Sequence, residues 1–417
     1  MTPQTLKRNL CWPGTCLFLA EMPGVRISGD SWIRRALTTL ILLSVYVGSS
    51  PAWAGNSVSN TPPRTDRGYA YIHDVVPSVP WSVHIFKVSR QRRDLAFTTT
   101  LGNSNRLGMA TLSEQMKGFP GSLGTPLAAI NGDFYVSEPE PLGDPRDLQI
   151  LNGEFISAPA GHACFWINAS GQPQSTNVAS LLRVVWPDGT STPLGLNEVR
   201  EPPAVVLYSA AAGKQSWARD GTELVLERDG DQPWIPLRPG TTLHARVRAV
   251  REGGSSPLDP ETLVLSVGPK AGTAVRSATA GTRIQLVLET FPDLSGVQTA
   301  VGGGPTLVRN GRPMSWSGFL LRHPRTAIGW NDDHLFLVEV DGRQPDLSVG
   351  MTFPELAEYL VKLGCRDAVN FDGGGSATMW ALGQIVNSPS EGQERAGANS
   401  LVVYLRRPAA PDSARQP

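Results

Sequence analysis

The sequence predicts an α+β fold: a large, mostly antiparallel mixed sheet with a few packed helices, in a single domain. Residues 165–290 consist of short alternating segments that Gly and Pro interrupt about every ten residues, which is typical of antiparallel strands. Gly and Pro are abundant, at 43 and 35 of 417 residues, which favours many turns. Helical spacing of apolar residues is rare, and no linker is apparent inside residues 68–407.

The first elements are predicted between residues 81 and 130. Segment 81–88 has apolar residues on both sides of its alternation, which predicts a strand covered on both faces. Residues 95–99 form a candidate partner strand, and residues 107–116 carry apolar side chains at helical spacing. Residues 127–130 then form a short apolar strand.

The last third of the chain has clearer signals. Residues 335–340 form a continuous apolar strand whose one charge, Glu339, faces either solvent or a site. Residues 352–355 form a capping box with Pro354 in the first turn, which predicts the start of a helix. Gly364 is a natural end for that helix, and residues 368–371 and 401–405 form the last two strands.

The N-terminal segment has the pattern of an export signal. Arg34 and Arg35 precede an apolar run at 36–47, and Ala52-Trp53-Ala54 matches a cleavage box. The run is shorter than the ~20 residues of a membrane span, which disfavours an uncleaved anchor. We therefore expect a periplasmic or secreted protein without a stable membrane span after processing. The predicted organisation is a signal peptide (1–54), a linker (55–67), the domain (68–407) and a disordered tail (408–417).

Composition narrows the classes of partner. Lys plus Arg and Asp plus Glu both number 37, so net charge gives no electrostatic reason to expect nucleic acid as a partner. Of four cysteines, Cys164 and Cys365 lie beyond the predicted signal peptide, and the sequence leaves open whether they pair. No Cys or His pair has zinc-site spacing and no segment resembles an EF-hand loop. No cofactor is therefore required by the sequence, and a divalent cation is left unassigned.

Three apolar strands are each followed by an aspartate beside glycines. Residues 128–130 lead into Asn131-Gly132-Asp133, residues 336–340 into Asp341-Gly342-Arg343, and residues 369–371 into Asp372 and Gly373 to Ser376. Asp-Gly is a common turn pair, so one instance predicts only a turn. Three instances favour a shared site, since glycine permits tight turns and close backbone approach to a ligand.

Three further segments carry candidate binding groups. Backbone N–H groups of residues 302–306, a Gly-Gly-Gly-Pro-Thr stretch, can form a nest for an anion. Residues 322–326 combine two arginines with His323, which suits phosphate oxygens, although a solvated basic hairpin is the alternative. Residues 387–395 form a polar loop before the last strand.

Taken in order, these segments resemble the phosphodiester glycosidase family from about residue 70 to 407. The resemblance rests on 131–135 (NGDFY), 303–307 (GGPTL), 325–329 (RTAIG), 341–343 (DGR), 350–352 (GMT), 370–376 (NFDGGGS), 387–390 (NSPS) and Arg395. Phe371 and the residues that follow Arg395 depart from the family's common pattern. The resemblance implies an exported hydrolase that cleaves the anomeric C–O bond of a sugar-1-phosphodiester in an envelope or exopolysaccharide-type glycan.

The resemblance and the residue chemistry together define the candidate site residues. The catalytic candidates are Asp372, Asp133 and Asp341. The substrate-binding candidates are Asn131, Gly303, Gly304, Thr306, His323, Arg325, Thr326, Arg343, Asn370, Gly373, Gly374, Ser376, Asn387 and Arg395.

A phosphodiester anion is a good leaving group, so the site must hold the phosphate and support positive charge on the sugar. His323, Arg325 and Arg343 suit the first task, while Asp372 and Asp133 suit the second or activate water. Asp341 alternatively orients Arg343. Two other functions stay open: a non-catalytic polysaccharide-binding module, and a glycosidase for unphosphorylated glycans with Glu394 or Glu339 as its acid.

Overall fold

We analysed a computed structural model of the chain, which describes residues 68–137, 143–201, 204–271, 278–316 and 321–407. All of them fall within one compact unit of the chain, Ala54–Pro417. The predicted signal peptide, linker and tail lie outside the described residues. Within the described residues, no helix has the length and apolar character needed to cross a membrane.

The described residues form 26 strands and two α-helices. The first strands are β1 (Tyr69–Val76), β2 (Trp81–Ser89), β3 (Leu95–Leu101), β4 (Gly124–Asn131), β5 (Gln149–Leu151), β6 (Glu154–Ser157), β7 (Ala160–Ile167), β8 (Pro173–Ser180) and β9 (Arg183–Val185). The next are β10 (Ser191–Pro193), β11 (Gly195–Leu196), β12 (Val205–Tyr208), β13 (Thr222–Arg228), β14 (Thr241–Glu252), β15 (Leu263–Val267), β16 (Arg283–Leu288), β17 (Thr290–Phe291) and β18 (Thr299–Val301). The last are β19 (Thr306–Arg309), β20 (Arg312–Pro313), β21 (Arg325–Trp330), β22 (His334–Val340), β23 (Asp367–Asn370), β24 (Met379–Ala381), β25 (Gln384–Ile385) and β26 (Asn399–Arg406). The helices are α1 (Leu112–Lys117) and α2 (Phe353–Lys362).

The strands form four sheets rather than the one large sheet predicted from the sequence. The orders are β1-β2-β22-β21-β23-β19-β20, β10-β9-β16-β14-β13-β15-β12-β11, β17-β8-β7-β18-β5-β6, and β25-β24-β4-β26-β3. Twisted sheets rarely exceed about ten strands before they split into packed layers, which explains the correction. The mostly antiparallel character and the small number of helices are confirmed, since β11–β12 is the one parallel pair among the described strands.

The register of the seven-stranded sheet brings the sequence motifs to one edge. Arg325 at the start of β21 pairs with Val340 at the end of β22. Val83, near the start of β2, also pairs with Val340. On the other side of β21, Asn370 ends β23, and β19 begins beside it. We call this edge, at the ends of β22 and β23 and the starts of β2, β19 and β21, the motif edge.

The second helix begins where the sequence predicts, whereas the first is shorter than predicted. Thr352 and Glu355 form the predicted capping box of α2, whose apolar face packs against the seven-stranded sheet. Gly364 follows this helix with a left-handed φ of 95°. Helix α1 is shorter than the predicted segment 107–116 because Thr111 is its N-cap, so the helix begins only at Leu112.

The two cysteines of the described region do not pair. Cys164 and Cys365 are both free and buried. They belong to different apolar clusters: Cys164 lies in the core shared by the six- and eight-stranded sheets, and Cys365 packs beside α2. Burial raises the pKa of both thiols, so neither has thiolate character at neutral pH.

Candidate active site

Asn131 joins the five-stranded sheet to the motif edge. Its Oδ1 accepts hydrogen bonds from Thr326 Oγ1 at 2.7 Å and from the Thr378 N–H at 3.1 Å. Its Nδ2 donates to the Asp372 carbonyl at 2.7 Å, and the Asp372 N–H donates to the Gly132 carbonyl at 2.9 Å. Asn131 and Thr326 are both buried, so they hold the site together rather than present groups to a substrate.

Asp372 lies where β23 meets the glycine loop, and its carboxyl group is close to cations. Burial raises the pKa of Asp372 to about 6, although Ser376, the Gly373 N–H, Arg395 and Arg146 partly offset this rise. A carboxyl group with this pKa is ionised at neutral pH and exchanges its proton readily near pH 6. Such a group suits general-base, nucleophilic or charge-stabilising work.

Asp133 is a second carboxyl group near Asp372, but it is more deeply buried. Its Oδ2 accepts a 2.7 Å hydrogen bond from the Asp147 N–H, and its own N–H donates to Asn399 Oδ1 at 2.8 Å. Burial, followed by the charge of Asp147, raises the pKa of Asp133 well above the usual range, and Asp372 adds to the rise. This shift favours the neutral form of Asp133, although the backbone N–H groups of Asp147 and Phe134 oppose it.

Gly302 to Gly304 bring the backbone close to the Asp133 carboxyl group and to the end of β23. A Cβ on Gly302 would lie 2.5 Å from Asp133 Oδ2, and one on Gly303 would lie 2.6 Å from the Asn370 carbonyl. The Gly304 N–H donates to that same carbonyl, and Asn370 Nδ2 donates back to the Gly304 carbonyl at 2.9 Å. These two hydrogen bonds attach the 302–305 loop to β23. Thr306, the first residue of β19, is partly exposed beside them.

The loop from Gly373 to Ser376 carries the second glycine cluster. Gly374 has a left-handed φ of 62°, and its N–H donates to the Pro324 carbonyl at 2.9 Å. A Cβ on Gly374 would lie 3.0 Å from Arg343 Nη2, while one on Gly375 would overlap the Arg395 guanidinium. The absence of side chains here lets both arginines reach the loop that follows Asp372.

His323, Arg325 and Arg343 form a cationic group beside this loop. Arg343 is exposed, and its Nη2 lies 3.3 Å from His323 Nδ1. The pKa of His323 is lowered by burial, then by the charges of Arg325 and Arg343. Among the described residues, neither arginine forms an ion pair with a carboxylate. Clustered cations without a counterion favour an anionic ligand.

Arg325 differs from Arg343 in how its guanidinium is held. Its Nε donates to the Met351 carbonyl at 2.8 Å, its Nη2 to the Leu321 carbonyl at 3.0 Å, and the Phe353 ring lies 4.1 Å away. Burial, followed by the charge of Arg343, lowers the pKa of Arg325 to about 10. Arg325 therefore contributes its charge from a less exposed position, held by two backbone carbonyls, and Arg343 is the arginine that faces solvent.

Asp341 occupies a different environment from the other two aspartates. Its Oδ2 accepts from Ser82 Oγ at 2.8 Å and lies 2.9 Å from His84 Nε2, and its Oδ1 accepts from the Ser388 N–H at 2.8 Å. No ion pair or hydrogen bond joins Asp341 to Arg343 in the described part of the chain, so Asp341 does not orient this arginine by direct contact.

Asn387 and Arg395 connect the last loop to the site. Asn387 Oδ1 accepts from the Met379 N–H at 2.9 Å, and its Nδ2 donates to the Ala377 carbonyl at 3.2 Å and to Asp341 at 3.4 Å. Arg395 forms an ion pair with Glu391, and Asp372 contributes to its raised pKa. Arg395 thus lies near Asp372, whereas Asn387 contacts Asp341.

Several residues of this region carried little signal in the sequence. Arg146 and Tyr135 approach Asp372, and Asp147 approaches Asp133. His84 and Glu339 lie within apolar strands, where alternation predicts core residues. The one available signal was that Glu339 is the single charge inside β22.

Comparison with known proteins agrees with the sequence resemblance. Residues 244–404 match the sequence model of the phosphodiester glycosidase family. A 114-residue stretch is 32% identical to the SPbeta prophage-derived uncharacterized protein YomE of Bacillus subtilis, covering 26% of this chain and 18% of that protein. A 68-residue stretch is 38% identical to N-acetylglucosamine-1-phosphodiester alpha-N-acetylglucosaminidase of Bos taurus, covering 16% of this chain and 12% of the relative. The chain thus matches less than a fifth of each relative's length, and the predicted family resemblance is confirmed.

Solved structures share the fold over most of the chain. A hypothetical protein from Synechocystis superposes with a TM-score of 0.66 at 17% identity, covering 83% of this chain and 64% of that one. A protein from Burkholderia pseudomallei K96243 superposes with a TM-score of 0.60 at 23% identity, covering 80% of this chain and 74% of that one. These likenesses extend the shared fold well beyond residues 244–404.

Proposed function

Because residues 244–404 match the phosphodiester glycosidase family, we propose that this chain is an exported hydrolase of sugar-1-phosphodiesters. It cleaves the bond between the anomeric carbon and the bridging oxygen, and releases a free sugar and a phosphomonoester. An envelope or exopolysaccharide-type glycan is the proposed source of the substrate. The observation that carries the proposal is the meeting, beside the motif edge, of Asp372, the buried Asp133 and two arginines, Arg325 and Arg343, that have no carboxylate partner among the described residues.

The two carboxyl groups have complementary roles in this reaction. Asp372, ionised at neutral pH, stabilises positive charge on the sugar ring or directs water to the anomeric carbon. Burial, followed by the charge of Asp147, raises the pKa of Asp133, which favours its neutral form and limits negative charge beside Asp372. The phosphomonoester leaves as an anion, so the reaction needs no strong proton donor.

The cationic group supplies the complementary site for the phosphate. Arg343 and His323 face solvent beside the glycine loop that follows Asp372. Arg325, held by the Met351 carbonyl, adds positive charge from a less exposed position. Phosphate oxygens bound here would sit within the field of positive charges that no protein carboxylate neutralises. Binding of the phosphate would therefore place the anomeric carbon towards Asp372.

An ordinary glycosidase is less consistent with the surroundings of its candidate acids. Glu394 accepts hydrogen bonds from the N–H and the Oγ of Ser113 at 2.9 and 2.6 Å, so it is committed to the first turn of α1. Glu339 is completely buried, which removes it from contact with a glycosidic oxygen. Neither glutamate is placed to protonate an unphosphorylated leaving group.

Hydrolysis in oxygen-18 water tests which bond breaks. Attack at the anomeric carbon places the label on the free sugar, whereas attack at phosphorus places it on the phosphate product. We expect label on the sugar when a sugar-1-phosphodiester is cleaved, as measured by mass spectrometry of both products. Label on the phosphate would withdraw the glycosidase assignment, and no cleavage of any sugar-1-phosphodiester or aryl glycoside would favour the binding module.

The role of Arg343 is tested by comparing two substrates. Replacing Arg343→Gln should lower kcat/KM for sugar-1-phosphodiesters by about a hundredfold, the typical effect of losing a charge-assisted contact, and should barely affect aryl glycosides. Arg366→Gln is a matched control, since Arg366 is also exposed but pairs with Asp332 away from the motif edge. Equal losses on both substrates would remove Arg343 from the phosphate site.

Export is the remaining part of the proposal. The predicted signal peptide ends at Ala54, so the mature protein should begin at Gly55. Mass spectrometry of the protein recovered from the periplasm or medium of its expression host measures this terminus. An intact 32–54 segment on membrane-bound protein would contradict the export proposal without affecting the catalytic one.

A further inference from the structure

A second polar cluster lies beneath the cationic group, inside the protein. His84 from β2 and Glu339 and Asp341 from the end of β22 bring three possible ligand atoms within 4.8 Å of one another. All three side chains are buried, with exposures of 3%, 0% and 1%. This cluster could not be predicted from the sequence, because His84 is 255 residues from Glu339 along the chain. The register of β2 with β22 places the two residues side by side.

Glu339 supplies an independent sign that a ligand belongs in this cluster. Both of its carboxylate oxygens are buried, and neither has a hydrogen-bond partner of good geometry among the described residues, although the Asn387 side chain approaches the carboxyl group. An ionised buried carboxyl group without a partner is strongly unfavourable unless it is neutralised or binds a cation. Its nearest negative neighbour, Asp341, makes the need for positive charge greater.

We propose that His84, Glu339 and Asp341 bind one divalent transition-metal ion. One imidazole and two carboxylates form a mixed nitrogen and oxygen ligand set, which suits Mn²⁺ or Zn²⁺ better than Mg²⁺ or a thiol-bound ion. The two carboxylate charges balance the charge of the ion, so the buried site becomes neutral overall. The two unpartnered oxygens of Glu339 become metal ligands.

Groups around the cluster are arranged as metal ligands require. His84 Nδ1 lies 2.8 Å from the Tyr71 hydroxyl, which can donate or accept and therefore fits the tautomer that leaves Nε2 free for metal. Ser82 Oγ and the Ser388 N–H bind the two oxygens of Asp341 at 2.8 Å each and fix its orientation. Such hydrogen bonds to ligand side chains are typical of protein metal sites.

The position of the cluster indicates a role in holding the site rather than in contacting substrate. Asp341 is two residues before Arg343, whose φ of 60° is left-handed. A Cβ on the intervening Gly342 would lie 2.6 Å from the Pro324 nitrogen, so this turn packs tightly against the segment that carries His323. A metal ion bound to Asp341 would fix the turn that presents Arg343 to the phosphate.

The test is metal binding itself, which does not depend on any catalytic activity. Metal analysis of purified protein should find about one Mn²⁺ or Zn²⁺ per chain. After chelator treatment, the melting temperature should fall and should recover on addition of MnCl₂ or ZnCl₂. Glu339→Gln should lose the metal, and Tyr71→Phe, which keeps all three ligands, should weaken binding about 10–100-fold.

Asp144→Asn is the matched control, because Asp144 is a buried carboxyl group with an unpartnered Oδ1 outside the cluster. It should bind metal as the unaltered protein does. If Glu339→Gln does not fold, Tyr71→Phe decides the question by isothermal titration with MnCl₂. Metal-free protein that binds neither ion below millimolar concentration, or equal affinities in all variants, would overturn the proposal and leave a carboxyl pair that shares a proton.

Discussion

At the scale of single residues, the site is defined by how burial and neighbouring charges oppose each other. Asp133 is buried and Asp372 is partly buried, while cations approach Asp372 and the charge of Asp147 approaches Asp133. The pKa of Asp372 therefore rises to about 6, and burial, followed by the charge of Asp147, raises the pKa of Asp133 well above its usual range. Two carboxyl groups with separated pKa values can take different roles at one pH.

Replacement of Asp372 by Asn should separate activity from stability. We expect kcat to fall by at least about a hundredfold, as for other losses of a charged catalytic group, with the fold retained. In the unaltered protein, activity should decline as pH falls through about 6, because Asp372 becomes protonated. A pH–rate profile on a sugar-1-phosphodiester measures this decline.

The same substitution, which should lower activity, should raise the free energy of unfolding at high pH. The folded state binds the Asp372 proton more tightly than the unfolded state, so this carboxyl group costs stability as pH rises from about 4 through 6. Asp372→Asn should therefore raise the free energy of unfolding at pH 8, by at most about 3 kcal/mol, with no gain at pH 4. Urea unfolding at both pH values measures the difference in unfolding free energy. Near-normal turnover of a folded Asp372→Asn variant would exclude Asp372 from catalysis.

The sequence was sufficient to find the residues that lie in motifs but not those placed by strand register. Asp372 and Asp133 stood out because glycines follow or precede them at the end of apolar strands. His84 could not be identified, because only the pairing of β2 with β22 brings it to Asp341. Arg325 was found, but its backbone hydrogen bonds to 321 and 351 depend on loop geometry that residue type does not encode.

At the scale of elements, α2 supports the cationic group through its N-terminal end. The Thr352 side chain accepts from the Glu355 N–H, and the Glu355 carboxylate accepts from the Thr352 N–H and pairs with Arg322. Met351, one residue earlier, holds Arg325 through its carbonyl. This helix was predictable because its capping box and apolar spacing are local, whereas the four-sheet arrangement depends on long-range pairing.

Loss of the α2 cap should reduce stability measurably. Thr352→Ala removes the side-chain acceptor for the Glu355 N–H, so the free energy of unfolding should fall by about 1 kcal/mol. Thr352→Ser keeps a hydroxyl and should be close to neutral. Chemical denaturation of the three proteins measures the difference, and a loss of equal size in Thr352→Ser would show that the methyl group, not the cap, is responsible.

At the scale of the whole molecule, the site is formed where three sheets meet. Gly302 to Pro305 connects β18 of the six-stranded sheet to β19 of the seven-stranded sheet, and β4 of the five-stranded sheet ends beside it. The polar atoms of Asn131 and Asn370 connect these layers. The sequence predicted a single sheet because alternation reveals strands but not which strands pair.

A methyl group at Gly303 should therefore disturb the site and the packing of the sheets together. Its Cβ would lie 2.6 Å from the Asn370 carbonyl and 2.7 Å from the Phe371 ring, and the buried backbone has little room to move. We expect Gly303→Ala to cost about 1–3 kcal/mol of unfolding free energy, as other overpacked core positions do, and to lower turnover by displacing Asp372. Gly121→Ala is the matched control, because Gly121 is exposed and no atom lies within 4 Å of its added Cβ. Thermal unfolding and turnover of both variants measure the effects. Normal stability and activity in Gly303→Ala would mean that the loop between β18 and β19 can move without disturbing the site, and the proposed close link between sheet packing and the Asp372 carboxyl group would be wrong.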